Sequence, residues 1–419
     1  MRIPKFFPRD AWRLILPRVA ALLRAQARNV RQGIGALLVS SAGDLAAGLA
    51  LGFMEGTLRR YPGLIILVPA AIGMRGNIFG ALGSRLGTAV HTGEFSGRVE
   101  RRGTIAQNVL AAALLTFSVS VADAFLARGA ARLFGENTIG FLDYLTVSVV
   151  GGLLSSIFVL AITLAVAVAS VRRGWDMDNV GAPVVTAAGD VVTLPSLWAA
   201  TFLLRVSSLP KVVGVLVFGG LAVAIFFTVR RRDLRVFQRI VRQSLPVLIA
   251  AGAVDVLAGL TVDRRIEHFF ALPGLLVLLP PFLEDAGALG GILSARLSSK
   301  LHLGSIQPKA IPPRRTWEDI TLTYLLAIPV FALVGLSGML ISSATGLAHP
   351  GLGSMVGLTL LAGAMATTGA VFVAYYAAVL SYRFGLDPDN YGIPAVTSSM
   401  DLLGTFALIA SLGILGIAG

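Results

Sequence analysis

The chain has 419 residues, 55% of them hydrophobic and only 14% charged. Its mean hydropathy of +0.80 excludes an ordinary water-soluble domain, in which about 25% of residues are charged, and the absence of cysteine excludes disulfides, thiolate metal sites and cysteine nucleophiles. A net charge of +13 would suggest nucleic acid in a soluble protein. Here the cations lie in short loops between apolar runs, so membrane topology accounts for them and no nucleic-acid partner is expected.

Residues 1–32 carry eight Lys or Arg, and Asp10 to Asn29 mixes Leu, Val and Trp with arginines. That pattern predicts a basic cytoplasmic segment with a helix lying in the membrane interface. Prolines and arginines interrupt the apolar core that a cleaved signal would need. Five apolar spans follow, near 33–56, 62–89, 104–127, 140–171 and 180–204. Each is long enough for a hydrocarbon layer of about 30 Å, and none alternates with period two, so helices are expected rather than a barrel. After a further run at Val212 to Val229, five more spans lie near 244–262, 273–300, 317–342, 351–382 and 391–417. The fold class expected is all-α, a polytopic helical membrane protein of about eleven spans in contact with lipid.

A shift of 211 residues brings the two sets of five into register without a gap: Asp44 meets Asp255, Pro62 to Pro69 meets Pro273 to Pro280, and His91 meets His302. Further on, Asp178 and Asn179 meet Asp389 and Asn390, while Pro183, Thr186 and Asp190 meet Pro394, Thr397 and Asp401. The chain therefore divides into the segment 1–32, a first repeat at 33–208, a linker with one transmembrane helix at 209–243, and a second repeat at 244–419. Five spans plus one connector return the second repeat to the orientation of the first. With the N-terminus inside, 26 of the 35 Lys and Arg fall on the inner face and eight on the outer, the bias expected of a cytoplasmic N-terminus and an outer C-terminus. Parallel repeats imply a pseudo-two-fold axis along the membrane normal.

An aspartate at mid-span costs about 2.5 to 3.5 kcal/mol to insert, so it faces protein, water or an ion. Asp44, Asp190, Asp255 and Asp401 all qualify. Asn179, Pro183, Thr186 and Asp190 form one helical stripe, repeated by Asn390, Pro394, Thr397 and Asp401. If the stripes face each other, carboxylates and neutral oxygens line one path, which suits Mg²⁺ held partly through its own waters. The bland alternatives are helix caps or pairs with buried arginine. For Asp44 and Asp255, the neighbours Ala47, Gly48, Ala258 and Gly259 equally suggest close helix packing. Asp176, Asp178, Asp387 and Asp389 stand at span entrances, where capping and ion recruitment are both open. Glycines and an amide at Gly73 to Asn77 suggest an unwound mid-membrane segment, and the second repeat has Glu284-Asp285-Ala286-Gly287-Ala288 there. Arg75 then pairs with Glu284 or Asp285, or those carboxylates meet the ion directly. His91 and His302 read as interface residues. No phosphate-binding loop, nucleophile with its base or His-rich metal motif is present, so an enzyme is not expected.

The run Val68-Pro-Ala-Ala-Ile-Gly-Met-Arg-Gly-Asn77 with Gly83-Ser-Arg-Leu-Gly-Thr88, and later Asp178-Asn-Val-Gly-Ala-Pro183 with Ala188-Gly-Asp190, resembles the MgtE family of magnesium channels, above all its two-copy solute-carrier relatives. The resemblance spans nearly all of 33–419. It implies transport of Mg²⁺ or another divalent cation, with Mg²⁺ as cargo and also as a structural ion, across a plasma or inner membrane. Single-copy members are homodimers with an axial pore, so a monomer acting as a pseudo-dimer is expected. Asp190 and Asp401 fall where the family has its fifth-helix pore aspartate, and Asn77 lies in its glycine-asparagine segment. The second repeat departs from this with Gly287-Ala288, and 32 N-terminal residues are too few for the cytoplasmic regulatory domain of bacterial single-copy members. The expected cation-binding set is Asp44, Asn77, Asn179, Thr186, Asp190, Asp255, Asp285, Asn390, Thr397 and Asp401. A channel and a carrier driven by Na⁺ or H⁺ both fit. The competing readings are a carrier of small organic or anionic solutes that uses Arg75, and a membrane scaffold.

Overall fold

The computed structural model describes residues 27–91, 103–173, 177–230, 234–385 and 392–417. All regular structure among them is helical. In chain order the helices are α1 (Ala27–Phe53), the short α2 (Glu55–Arg60), α3 (Leu67–His91), α4 (Thr104–Leu133), α5 (Phe141–Arg173), α6 (Met177–Thr201) and α7 (Leu209–Arg230). The second half continues with α8 (Arg235–Asp263), α9 (Ile266–Ala271), α10 (Gly274–His302), α11 (Trp317–Thr345), α12 (Leu352–Phe384) and α13 (Ile393–Ile414). Ten of them are long and apolar enough to cross a membrane, and the 27-residue α1 is the eleventh long helix. The chain is a multi-pass helical membrane protein. The interfacial helix expected over 10–29 lies outside the described residues, apart from its last turn, which begins α1.

The 211-residue shift survives in the helix boundaries. Both ends of α2 and α9, both ends of α5 and α12, and the C-terminal ends of α3 and α10 coincide under it. Burial ranks the helices by position. The spans of α3 and α10 are 72% and 78% buried, whereas that of α7 is 17% buried, with Val215, Leu216 and Val223 exposed. α7 thus lies at the periphery with apolar side chains uncovered, and α3 and α10 form the centre.

What binds the halves is an exchange of first helices. α1 packs between α6 of its own half and α10 of the other, and α8 packs between α13 and α3. Glycine makes both approaches possible. A Cβ on Gly259 would stand 2.5 Å from the Ile66 carbonyl oxygen, and one on Gly48 would run into the carbonyl of Val277. Ile66 and Val277 are equivalent under the shift, so the two contacts are one contact made twice. Small residues do this in membranes because backbone proximity, not exclusion of water, supplies the attraction between helices.

One local expectation is corrected. Gly73 to Asn77 is not unwound, since α3 runs unbroken from Leu67 to His91, as α10 does through Glu284 to Ala288. A glycine costs a helix about 1 kcal/mol, but unsatisfied backbone groups in hydrocarbon cost several kcal/mol each, so the helix persists. At the end of α10, His302 stacks edge-on against Tyr382 with centroids 5.3 Å apart and is exposed; the side chain of His91 lies outside what is described.

Candidate cation path

Asp44 is placed by α1 and Asp190 by α6. A Cβ on Gly43 would lie 3.0 Å from both the Cβ and the carbonyl oxygen of Ala187, so the two backbones meet next to Asp44 and one turn before Asp190. The carboxyls of Asp44 and Asp190 face each other within hydrogen-bonding reach, at 0% and 1% exposure. In the second half, Asp255 on α8 and Asp401 on α13 face each other in the same way, with Ser398 beside Asp255. This second pair closes against Gly73, where an added Cβ would stand 2.9 Å from Asp255 Oδ2 and 3.6 Å from Asp401 Oδ2. Glycine is needed there for proximity to the carboxylates, not for unwinding.

Between α3 and α10 lies a cleft lined by three equivalent pairs, Val68 with Leu279, Pro69 with Pro280 and Ile72 with Leu283, and by Glu284 and Asp401. Asp401 is half-buried because it opens onto this cleft. Arg59 Nη2 donates to the Phe270 carbonyl at 3.1 Å, and its guanidinium lies 4.3 Å from the Phe270 ring centroid. That is again a contact between equivalent positions.

The charge in this region is one-sided. Neither carboxylate oxygen of Asp44, Asp190 or Asp255 receives a hydrogen bond, nor does Asp285 Oδ1, while Asp285 Oδ2 accepts one from Ser41 Oγ at 2.6 Å. Buried polar groups are nearly always satisfied, and a buried carboxyl without a donor is neutralised by a proton or by a cation. No three Asp, Glu or His side chains among the described residues converge closely enough to chelate a bare ion. Carboxylates arranged in twos suit an ion that keeps part of its water shell, as Mg²⁺ does.

Of the other expected residues, Asn77 is half-buried one turn beyond Gly73, and Thr397 Oγ1 donates to the Pro394 carbonyl at 3.2 Å while packing near Gly287. Asn179 and Thr186 are on α6, with side chains outside what is described, and Asn390 lies outside the described residues. So do Asp176, Asp387 and Asp389 and the side chain of Asp178.

The expected pairing of Arg75 with Glu284 or Asp285 is not what forms. Arg75 turns outward from the cleft: its Nε donates to Ser155 Oγ at 2.7 Å, its Nη1 donates to the Ala71 carbonyl, and the acid in its electrostatic reach is Asp123 on α4. Sequence reasoning missed Asp123, because the shift pairs it with Val334 and no repeated acid marks it. The signal lay in a joint change. Arg75, Ser120, Asp123 and Ser155 correspond to Ala286, Phe331, Val334 and Ala366, all four at most 2% exposed. One half buries a polar cluster where the other buries hydrocarbon. Gly152 touches Ser120 and Arg75, and its equivalent Gly363 touches Phe331, so the two clusters occupy matching places.

Comparison with known proteins agrees with this two-part layout. The model of the MgtE family, described as divalent cation transporter, matches residues 68–200 and again 279–411. Solute carrier family 41 member 3 of Rattus norvegicus is 26% identical over 393 residues, covering 89% of this chain and 84% of the relative. Solute carrier family 41 member 2 of Homo sapiens is 28% identical over 411 residues, covering 91% and 70%. No solved structure matches the chain.

Proposed function

Because the chain belongs to the MgtE family of divalent cation transporters, we propose that it carries Mg²⁺ across a plasma or inner membrane along the interface of its two halves. One observation carries this: Asp44, Asp190, Asp255 and Asp401, drawn from both halves, gather around α3 and α10, and the first three have no donor on any carboxylate oxygen. The two halves are parallel repeats, 33–208 and 244–419, joined by the linker 209–243, and one chain does the work of a dimer. Support comes from equivalent residues that stay neighbours along the helices, from Arg59 and Phe270 to Ile72 and Leu283. Such an axis runs with the helices and hence along the membrane normal, with the N-terminus cytoplasmic and the C-terminus outside. Asn77 and Thr397, with the stripe residues Asn179, Thr186 and Asn390, supply neutral oxygens along the route, and Asp285 adds a carboxylate beside Asp44. A solute carrier with Arg75 as its anion-binding group is disfavoured, because the guanidinium is buried and faces Asp123.

The test is uptake of Mg²⁺ into proteoliposomes loaded with an indicator. Asp190→Asn combined with Asp401→Asn is expected to cut the initial rate at least tenfold, and a wild-type rate would remove the path. Repeating the wild-type measurement with and without a Na⁺ gradient, then a proton gradient, separates a channel from an exchanger.

A further inference from the structure

The two central helices change character at one register position. Every residue from 63 to 72, and every equivalent from 274 to 283, is buried. From Gly73 and Glu284 onward each helix carries a stripe that is not: Asn77, Gly80, Ser84 and Thr88 in α3, and in α10 their equivalents Ala288, Gly291, Ala295 and Ser299. Exposure grows along the stripe, from half-buried Asn77 and Ala288 to exposed Thr88 and Ser299 at the ends that are cytoplasmic in the proposed orientation. A Cβ added at Gly80 or Gly291 would meet nothing within 4 Å, so open space lies beside both helices at the same level.

That space has the lining of a water-filled vestibule. Polar groups within a membrane span face the bundle interior or water, and neither α3 nor α10 exposes a large apolar side chain among the described residues, whereas peripheral α7 exposes Val215, Leu216 and Phe226. The stripe starts at the carboxylates. Gly73 lies against Asp255 and Asp401, and Glu284 shares the cleft with Asp401. On the outer side of those acids the same cleft is lined by Val68, Pro69 and Ile72 with their equivalents Leu279, Pro280 and Leu283. Val68, Ile72, Leu279 and Leu283 are at most 6% exposed, and their side chains offer a cation no oxygen.

We propose that Val68, Ile72, Leu279 and Leu283 form the outer gate of the path, an apolar collar that holds it shut toward the outside while water reaches the carboxylates from the cytoplasmic side. This rests on the transport function and the orientation proposed above. An apolar constriction stops ions by excluding the water that would accompany them, and a charge without ligands is strongly disfavoured there. The four side chains are equivalent in pairs, so parting α3 from α10 opens the collar on both sides at once. Pro280 and Pro281 lie inside α10 at this level. Each removes a helical hydrogen bond, which marks where the helix can bend.

The chain contains no cysteine, so an introduced one is its sole thiol. Ala288→Cys and Ala295→Cys are made singly in the full-length chain, and vesicles of each orientation are treated with a charged, membrane-impermeant maleimide, which needs a thiolate in contact with water. Both positions should label from the cytoplasmic side and neither from the outside. Labelling of Ala288→Cys from outside would overturn the gate, and no labelling from either side would overturn the vestibule and the gate with it. Ile72→Asn/Leu283→Asn, which wets the collar, should raise Mg²⁺ flux in proteoliposomes at least threefold and admit the reagent to Ala288→Cys from outside. Flux at or below the wild-type rate in this variant, once folded, would overturn the gate and leave the transport function standing. Should it not fold, the milder Val68→Thr/Leu279→Thr decides: raised flux is expected, and an unchanged rate overturns the gate. Normal flux in Asp190→Asn/Asp401→Asn would instead overturn the path itself, whatever the labelling shows.

Discussion

Replacing Arg75 by Ala leaves Asp123 buried near Asp255 without its counter-charge. Removing one partner of a buried ion pair costs about 3 to 5 kcal/mol. The two groups make no hydrogen bond to each other, as Arg75 Nη2 and both Asp123 oxygens are unpaired, so their coupling is Coulombic and the low end, about 3 kcal/mol, is expected. Asp123→Val costs less, because the guanidinium keeps Ser155 and the Ala71 carbonyl. Together the two substitutions recreate what the second half has at Ala286 and Val334. Their combined cost should fall below that of Arg75→Ala alone, and what remains is the void that Phe331 fills in the other half. Adding Ser120→Phe and Ser155→Ala fills it and should bring the chain within about 1 kcal/mol of wild type, since a well-packed apolar replacement of a buried pair is often neutral or stabilising. The assay is a double-mutant cycle by thermal unfolding in detergent micelles. Simply additive losses, with the double variant the least stable of the three, would refute the pairing.

Gly48→Ala should destabilise the chain by about 1 to 3 kcal/mol, the usual penalty of overpacking, because the new Cβ meets the Val277 carbonyl; Gly56→Ala, with nothing within 4 Å, should not, and both are read by the same melts. Gly259→Ala should behave like Gly48→Ala if the halves are bound by one contact made twice. Mg²⁺ at a hundred times its dissociation constant should stabilise the wild-type fold by about 2.7 kcal/mol through mass action, and Asp190→Asn/Asp401→Asn should abolish that gain, as followed by the rise in melting temperature with Mg²⁺.

The helices and their duplication were legible because acids and prolines stand out against an apolar background: Asp44 with Asp255 and Asp190 with Asp401 survive a shift that leucines alone could not reveal. For Asp44 and Asp255, helix packing and a place on the path had been read as alternatives. The packing is what the fold shows: Gly48 and Gly259, one turn on, bring the backbones together and so carry the aspartates inward, where the proposed path runs. Asp123 was invisible because it appears in one repeat only, and recognising it needed Arg75 and Val334 considered together. Glu284 was visible as a charge but not as a position. That it shares a cleft with Asp401, while its equivalent Gly73 lies against Asp255 and Asp401, is a property of the folded helices and is written in neither segment alone. The glycine-rich stretch of α3 misled in the other direction, because a composition that loosens helices in water is overruled where no water can satisfy the backbone.

Crystals of the protein soaked in Mn²⁺, an anomalously scattering stand-in for Mg²⁺, would locate the ion directly. The account predicts a peak on the axis between α3 and α10, beside Glu284 and flanked by Asp44 with Asp190 or Asp255 with Asp401. A peak elsewhere, with those aspartates against lipid or bonded to guanidinium groups, would contradict it.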